Sequence, residues 1–316
     1  MEILLQVVLL VVGFVMLIKG ADWFVEGASK VADRFGIPQI VIGLTICAMG
    51  TSLPEASVSI SAALKGAADI TIGNVVGSNI ANVLLILGIT SLIRPIPVKK
   101  NTMRYEIPFT IVITVLLAVL GLMDETVNRI EGIILWAFMI VYLIYLFVIS
   151  KTDKDAVEEG KAAGENESII KMIVMIVIGA VLIVLGGNFT VDAATKIALA
   201  FGMSERLVCL TIVAFGTSLP ELVTSATAAI KGKSDIAIGN IVGSNIFNIL
   251  FVAGTTALIT PVPYSMGFMI DTMVAIAAMV LLYVCVLPKK KLGRFGGLIM
   301  LLGYAGYFVY LFQGAK

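Results

Sequence analysis

The sequence predicts an all-α membrane protein of ten transmembrane helices. They form two five-helix repeats of inverted topology, with broken helices at the site described below. Three observations predict it. Apolar residues make up 59% of the 316 and charged residues 14%, with mean hydropathy +1.06; a soluble domain has about 45–50% and about 25%. Ten apolar runs approach the length of a membrane span. Two segments of 41 residues repeat one another without a gap. This composition excludes a cytosolic globular enzyme, a disordered chain and a nucleic-acid binder, which needs a basic excess absent at net charge +1.

The runs cover 3–18, 37–64, 70–93, 107–122, 130–149, 172–185, 205–230, 236–259, 268–287 and 295–312. The first follows Glu2 rather than a basic segment and shows no small-residue cleavage site, so it reads as a retained span. Basic residues collect on the cytoplasmic side of a membrane. With the N-terminus outside, seventeen of the 22 Lys and Arg fall on the cytoplasmic side. Lys65, Arg129, Lys196, Arg206 and Lys316 stay outside. The expectation is a multi-pass protein of the cell membrane, both termini extracytoplasmic. The polar stretch 151–168, KTDKDAVEEGKAAGENES, reads as a solvated cytoplasmic linker. It joins a first repeat, 1–150, to a second, 169–316.

The repeat is specific. Leu44–Leu84 and Leu210–Leu250 share 27 of 41 residues at an offset of 166, polar positions included. The offset extends outward to Gly20 with Gly186 and Pro95 with Pro261, and slips by one where Tyr145-Leu146-Phe147 matches Tyr310-Leu311-Phe312. Five spans per half is an odd number, so the second half enters the membrane upside down. Inverted repeats are a transporter signature, with the substrate site at the midplane.

Each half carries one carboxylate in mid-run. Glu55 and Glu221 end the motif Gly-Thr-Ser-Leu-Pro-Glu. A charge at the bilayer centre is expensive and marks an ion path by default, and the repeat axis brings these two to the midplane as a shared cation site. Pro54 and Pro220 remove an N–H and clash with the preceding turn. The helix is therefore expected to break, freeing carbonyls at Ala48, Thr51, Ala214 and Thr217. Thr51, Ser52, Thr217 and Ser218 add hydroxyls, which also bond back to their own helix.

The motif Gly-Asn-x-Val-Gly-Ser-Asn-Ile-x-Asn follows at Gly73–Asn82 and Gly239–Asn248. Ser78 and Asn82 share a helix face, as do Ser244 and Asn248. For Asn74, Asn79, Asn240 and Asn245, helix–helix hydrogen bonding and ligation are both open. The set is all oxygen, which suits a hard cation such as Ca²⁺. With no histidine in the chain and Cys47, Cys209 and Cys285 reading as buried small hydrophobes, zinc, copper and iron are disfavoured.

These paired motifs resemble the alpha-repeats of the cation/Ca²⁺ exchanger superfamily, in particular its prokaryotic Na⁺/Ca²⁺ exchanger branch. The resemblance covers nearly the whole chain. It implies Na⁺-driven Ca²⁺ antiport by alternating access, with four ion sites around two glutamates. By position, Glu55 and Glu221 match the central ligands. Ala48, Thr51, Ser52 and Ser78 match one flanking site, and Ala214, Thr217, Ser218 and Ser244 the other. Asn82 and Asn248 match the residues lining the middle. Some members, and the K⁺-dependent branch, carry Asp where this chain has Asn248, which points to K⁺-independent exchange. Two glutamates neutralise one Ca²⁺ or two Na⁺, so a third Na⁺ in a neutral flanking site is expected to make exchange electrogenic.

The alternatives are a Ca²⁺/H⁺ antiporter of the same superfamily and, further off, a cation channel with a carboxylate ring. An enzyme is not expected, nor a cofactor; Na⁺ and Ca²⁺ are cargo. The partners expected are those ions and membrane lipid, with no nucleic acid, and a monomer suffices. Spans one and six lie outside the ligand motifs and are expected to slide across the core as a pair, hinging near Gly20 and Gly186.

Overall fold

A computed structural model describes residues 2–152, 168–203 and 214–314. Most of the linker, and positions 204–213 of the seventh run, lie outside the described residues. The chain is a bundle of helices, α1 Glu2–Phe35, α2 Gln39–Thr51, α3 Leu53–Leu64, α4 Ile70–Ile93, α5 Thr102–Met123, α6 Arg129–Thr152 and α7 Ile169–Ala200 in the first part. The second part has the single turn α8 Ala214–Gly216, then α9 Leu219–Ile230, α10 Ser234–Ile259, α11 Met266–Val286 and α12 Arg294–Gly314. Among the described residues eight helices are long and apolar enough to cross a membrane, and the bent pair α2–α3 makes a ninth candidate.

Two helices differ from expectation. Runs 3–18 and 172–185 continue as α1 and α7, of 34 and 32 residues. The segment bearing Lys19, Lys30 and Arg34 is therefore helix, not loop. Loss of hydropathy does not end a helix when no breaker intervenes, and the first breaker is Gly36, with φ 60°. Gly202, at the matching position after α7, has φ 84°. A residue in this left-handed region terminates a helix cheaply only as glycine. At 1.5 Å per residue α1 is about 50 Å long, longer than the ~30 Å hydrocarbon core.

α4 and α10 form the centre. The apolar window of α10 is 94% buried and that of α4 72%, against 11% for α12 and 22% for α1. Small residues permit the close packing: Gly43 of α2 meets the Gly239 backbone of α10, and a Cβ on Gly243 would stand 2.7 Å from that of Ala48. Close backbone approach of this kind is how helices associate where lipid supplies no hydrophobic drive. α1 and α7 pack along one another outside this core. A Cβ on Gly13 would stand 2.9 Å from the Gly186 carbonyl oxygen, and one on Gly20 would stand 2.8 Å from that of Gly179. Both helices run unbroken through these positions, where the glycines form a contact seam.

Short two-residue strands tie the connections together. β1 Ile96–Pro97 pairs antiparallel with β4 Lys291–Leu292, and β2 Thr126–Val127 with β3 Val262–Pro263. Ion pairs link other connections: Lys99 with Asp235 at 2.8 Å and Lys231 with Asp22 at 2.6 Å. Arg94 donates to the Ile230 carbonyl and Arg294 to that of Leu92. Every one of these four contacts joins two segments that the charge bias assigns to the cytoplasmic side.

Candidate cation site

The GTSLPE motif breaks its helix as the proline requires. Pro54 lacks the N–H that would continue α2. The chain turns at Ser52 (φ −86°, ψ 8°), restarts at Leu53 and is bent by 48°. The second half repeats the turn at Ser218 (φ −90°, ψ 2°), with Pro220 at the start of α9. One expectation needs correction. The Ala48 carbonyl is not freed, because it accepts the Ser52 amide at 3.0 Å and faces the Thr51 and Ser244 hydroxyls at 3.4 Å. The break falls one turn later than the carbonyl that was expected to be released. In the second half the Ser218 amide bonds instead to the Phe215 carbonyl, at 3.2 Å.

Both glutamates sit in the first turn of a new helix, where the exposed amide ends favour a negative charge. Each is 1% exposed. Their helices are pinned to the central pair by matching amides. Asn74 Nδ2 donates to Ser59 Oγ at 2.8 Å and the Glu55 carbonyl at 3.1 Å. Asn240 Nδ2 donates to Ser225 Oγ at 2.9 Å and the Glu221 carbonyl at 3.5 Å. The sequence reading missed Ser59 and Ser225. Their signal was present: each stands one turn after its glutamate, at matching repeat positions, with nothing else to explain a serine inside an apolar helix.

Four asparagines lock α4 against α10. Asn79 Nδ2 donates to the Asn245 carbonyl at 3.1 Å, and Asn245 Nδ2 to the Asn79 carbonyl at 3.3 Å. Asn82 Nδ2 donates to Asn245 Oδ1 at 3.0 Å, and Asn248 Nδ2 to Asn79 Oδ1 at 3.1 Å. For Asn79 and Asn245 this decides the open question in favour of helix–helix bonding. The donor ends of Asn82 and Asn248 are thereby consumed, and their Oδ1 atoms are left buried with no partner.

The same is true of Glu55 Oε2, Glu221 Oε2 and Ser218 Oγ. Five orphaned oxygens thus stand on predicted site residues. Each unsatisfied buried polar atom costs about 1–3 kcal/mol, and native proteins leave few. Four of the five can only accept, so a further donor or a cation is what they lack. Among the described residues no three acidic, histidine or cysteine side chains are placed to hold a metal ion together, so a cation here would draw amides and hydroxyls into its shell.

The predicted residues are mostly together. Thr51 Oγ1 donates to Asn240 Oδ1 at 3.1 Å and lies 3.5 Å from Ser244 Oγ. Ser52 Oγ donates to Glu221 Oε1 at 3.0 Å, and Ser78 is buried on α4 one turn before Asn82. Thr217 is only half-buried, whereas Thr51 is sealed in. Ala214 starts the turn α8, and no described contact draws Thr217 or Ala214 into the cluster.

The family model described as sodium/calcium exchanger protein matches residues 5–148 and 171–313. The chain is 31% identical to the sodium/calcium exchanger MaX1 of Methanosarcina acetivorans, covering 96% of this chain and 97% of that protein. It is 35% identical to the inner membrane protein YrbG of Escherichia coli, covering 98% and 97%. Its fold is similar to a solved structure of the sodium-calcium exchanger NCX_Mj, with TM-score 0.83, 34% identity, and coverage of 95% and 96%.

Proposed function

The chain belongs to the sodium/calcium exchanger family, a family of membrane antiporters, and we propose that it exchanges Na⁺ for Ca²⁺ by alternating access. Both ions pass through one site between Glu55 and Glu221. The observation that carries this is the set of buried, acceptor-only oxygens on Glu55, Glu221, Asn82 and Asn248. To these the proposed shell adds the hydroxyls of Thr51, Ser52, Ser78, Ser218 and Ser244 and, by their repeat positions alone, Thr217 and the carbonyls of Ala48 and Ala214. Ca²⁺ takes 6–8 such oxygens.

The architecture we propose is ten spans in two inverted five-helix repeats, 1–150 and 169–316, joined by a cytoplasmic linker at 151–168. Reciprocal contacts support it. If Gly13 corresponds to Gly179 and Gly20 to Gly186, a two-fold axis makes Gly13 meet Gly186 wherever Gly20 meets Gly179, as they do. The four-asparagine lock obeys the same relation, as do the strand pairs β1–β4 and β2–β3. Both termini are then extracytoplasmic. One chain holds both halves of the site, so a monomer suffices.

Two ionised glutamates balance one Ca²⁺ or two Na⁺. A third Na⁺ in a neutral flanking position leaves a surplus charge, so exchange is electrogenic. Asn248 adds no carboxylate for K⁺. The test is ⁴⁵Ca²⁺ uptake into proteoliposomes. Uptake driven by an outward Na⁺ gradient, accelerated by an inside-positive potential and indifferent to K⁺, is expected. Uptake driven by a pH gradient without Na⁺ would instead establish Ca²⁺/H⁺ exchange through the same carboxylates.

A further inference from the structure

A second buried carboxylate lies away from this site. Glu106 closes a widened, π-helical turn, Thr102–Glu106, at the start of α5; such turns recur at functional positions. It is 2% exposed. One oxygen accepts the Tyr145 hydroxyl, and Oε2 has no partner. Glu106 lines a cavity of about 250 Å³ between α5 and α6, together with Arg104, Tyr105, Val141, Tyr142 and Tyr145. We propose that this cavity binds a membrane phospholipid whose headgroup carries a primary ammonium and a phosphate, as phosphatidylethanolamine does.

The lining supplies one element for each part of that headgroup. A primary ammonium has N–H donors for the orphaned Glu106 oxygen, and a charge-assisted bond of this kind is among the stronger ones. The Tyr105 and Tyr145 rings, with centroids 6.2 Å apart, offer the faces that attract a cation within about 6 Å. Arg104 is exposed, its guanidinium 5.7 Å from the centre of the Tyr105 ring. A planar fork in that position suits a phosphate. Val141, at the mouth, is 59% exposed on a flank that faces lipid, where the acyl chains would continue.

The other half of the chain sharpens the assignment. At the later offset of 165, Glu106 corresponds to Asp271 and Tyr142 to Tyr307, and Tyr307 donates to Asp271 at 3.0 Å. The residue matching Arg104 is Met269. Each half thus pairs its acid with a tyrosine of the neighbouring helix, but at different positions, Tyr145 in the first half and the counterpart of Tyr142 in the second, and the arginine is peculiar to the first half. The cavity also adjoins the ion path: Tyr142 donates to the Leu44 carbonyl of α2 at 3.4 Å.

The test is native mass spectrometry of the whole protein, equilibrated with phosphatidylethanolamine, phosphatidylcholine and phosphatidylglycerol of matched chains. This readout is indifferent to which ions the protein exchanges. The wild type is expected to retain the ethanolamine lipid roughly tenfold over the other two, the scale of one hydrogen bond to a charged group. Glu106→Gln should erase the preference over choline, and Arg104→Ala should lower retention of all three. Asp271→Asn should change nothing. Should Glu106→Gln not fold, Val141→Trp, a change on the exposed flank, should block the mouth and abolish retention. Equal retention by the wild type, a preference surviving Glu106→Gln, or full retention by Val141→Trp would overturn the proposal. Displacement of the lipid by millimolar soluble phosphoethanolamine would overturn its assignment to a lipid.

Discussion

Ser52 of the first half donates a 3.0 Å hydrogen bond to Glu221 of the second, while the counterpart hydroxyl of Ser218 makes no bond among the described residues. The two halves share 27 of 41 residues here, yet their contacts differ. On the α2 side Thr51 is tied to Asn240 and Ser244 is drawn to Ala48. On the α8 side Thr217 is half-buried. A pair of halves made alike but held differently is what alternating access requires of one of its end states.

This asymmetry predicts unequal access. In a variant with the native cysteines replaced, Thr217→Cys should react with a membrane-impermeant thiol reagent applied from outside, and Ca²⁺ should protect it. Thr51→Cys should resist the same reagent. Equal labelling of both from that side would contradict a site sealed toward α2.

The asparagine lock predicts a loss of affinity without loss of fold. Asn245 orients Asn82 and receives Asn79, so Asn245→Ala leaves the Asn82 amide free to rotate its oxygen away. Residues that orient ligands typically account for about 10–100-fold in metal affinity. Apparent Ca²⁺ affinity, read by titration calorimetry in detergent, should fall by that order while the thermal melt stays cooperative. Unchanged affinity would mean that Asn82 does not face the ion.

The seam between α1 and α7 predicts that they move as one body. A Cβ on Gly27 would stand 3.0 Å from that of Met175, close to the roughly 3.5–4.5 Å a disulfide spans. Cross-linking Gly27→Cys to Met175→Cys should therefore leave exchange running near the rate of the reduced protein. If oxidation stops exchange and reduction restores it, the two helices slide against each other instead.

Much of this was legible in the chain. The ungapped repeat and the prolines after Thr51 and Thr217 located the breaks, because a missing N–H acts locally whatever surrounds it. The extent of α1 beyond Ile18 was not legible: hydropathy reports where lipid ends, whereas Gly36 decides where the helix ends. Nor was the state of the Ala48 carbonyl, which keeps the Ser52 amide because the helix carries on one residue past Thr51 before it turns, and which also meets Ser244 nearly two hundred residues away. The close seam at Gly13 and Gly186 reads in sequence as flexibility and in three dimensions as contact, since a glycine permits either. Glu106 escaped notice for a related reason. It lies at a span end, where acids are ordinary, and only the packing of α6 buries it.

The central claim is that one site, built from both halves, holds Ca²⁺ and Na⁺ in competition. Equilibrium Ca²⁺ binding to the purified protein at several Na⁺ concentrations tests it most directly, with Glu55→Gln and Glu221→Gln alongside the wild type. One Ca²⁺ per chain is expected, displaced competitively by Na⁺. Each variant should weaken binding by about 3–5 kcal/mol, the cost of removing one partner from a buried charge pair. Ca²⁺ binding that survives either substitution at wild-type strength, or that Na⁺ does not displace, would contradict the account.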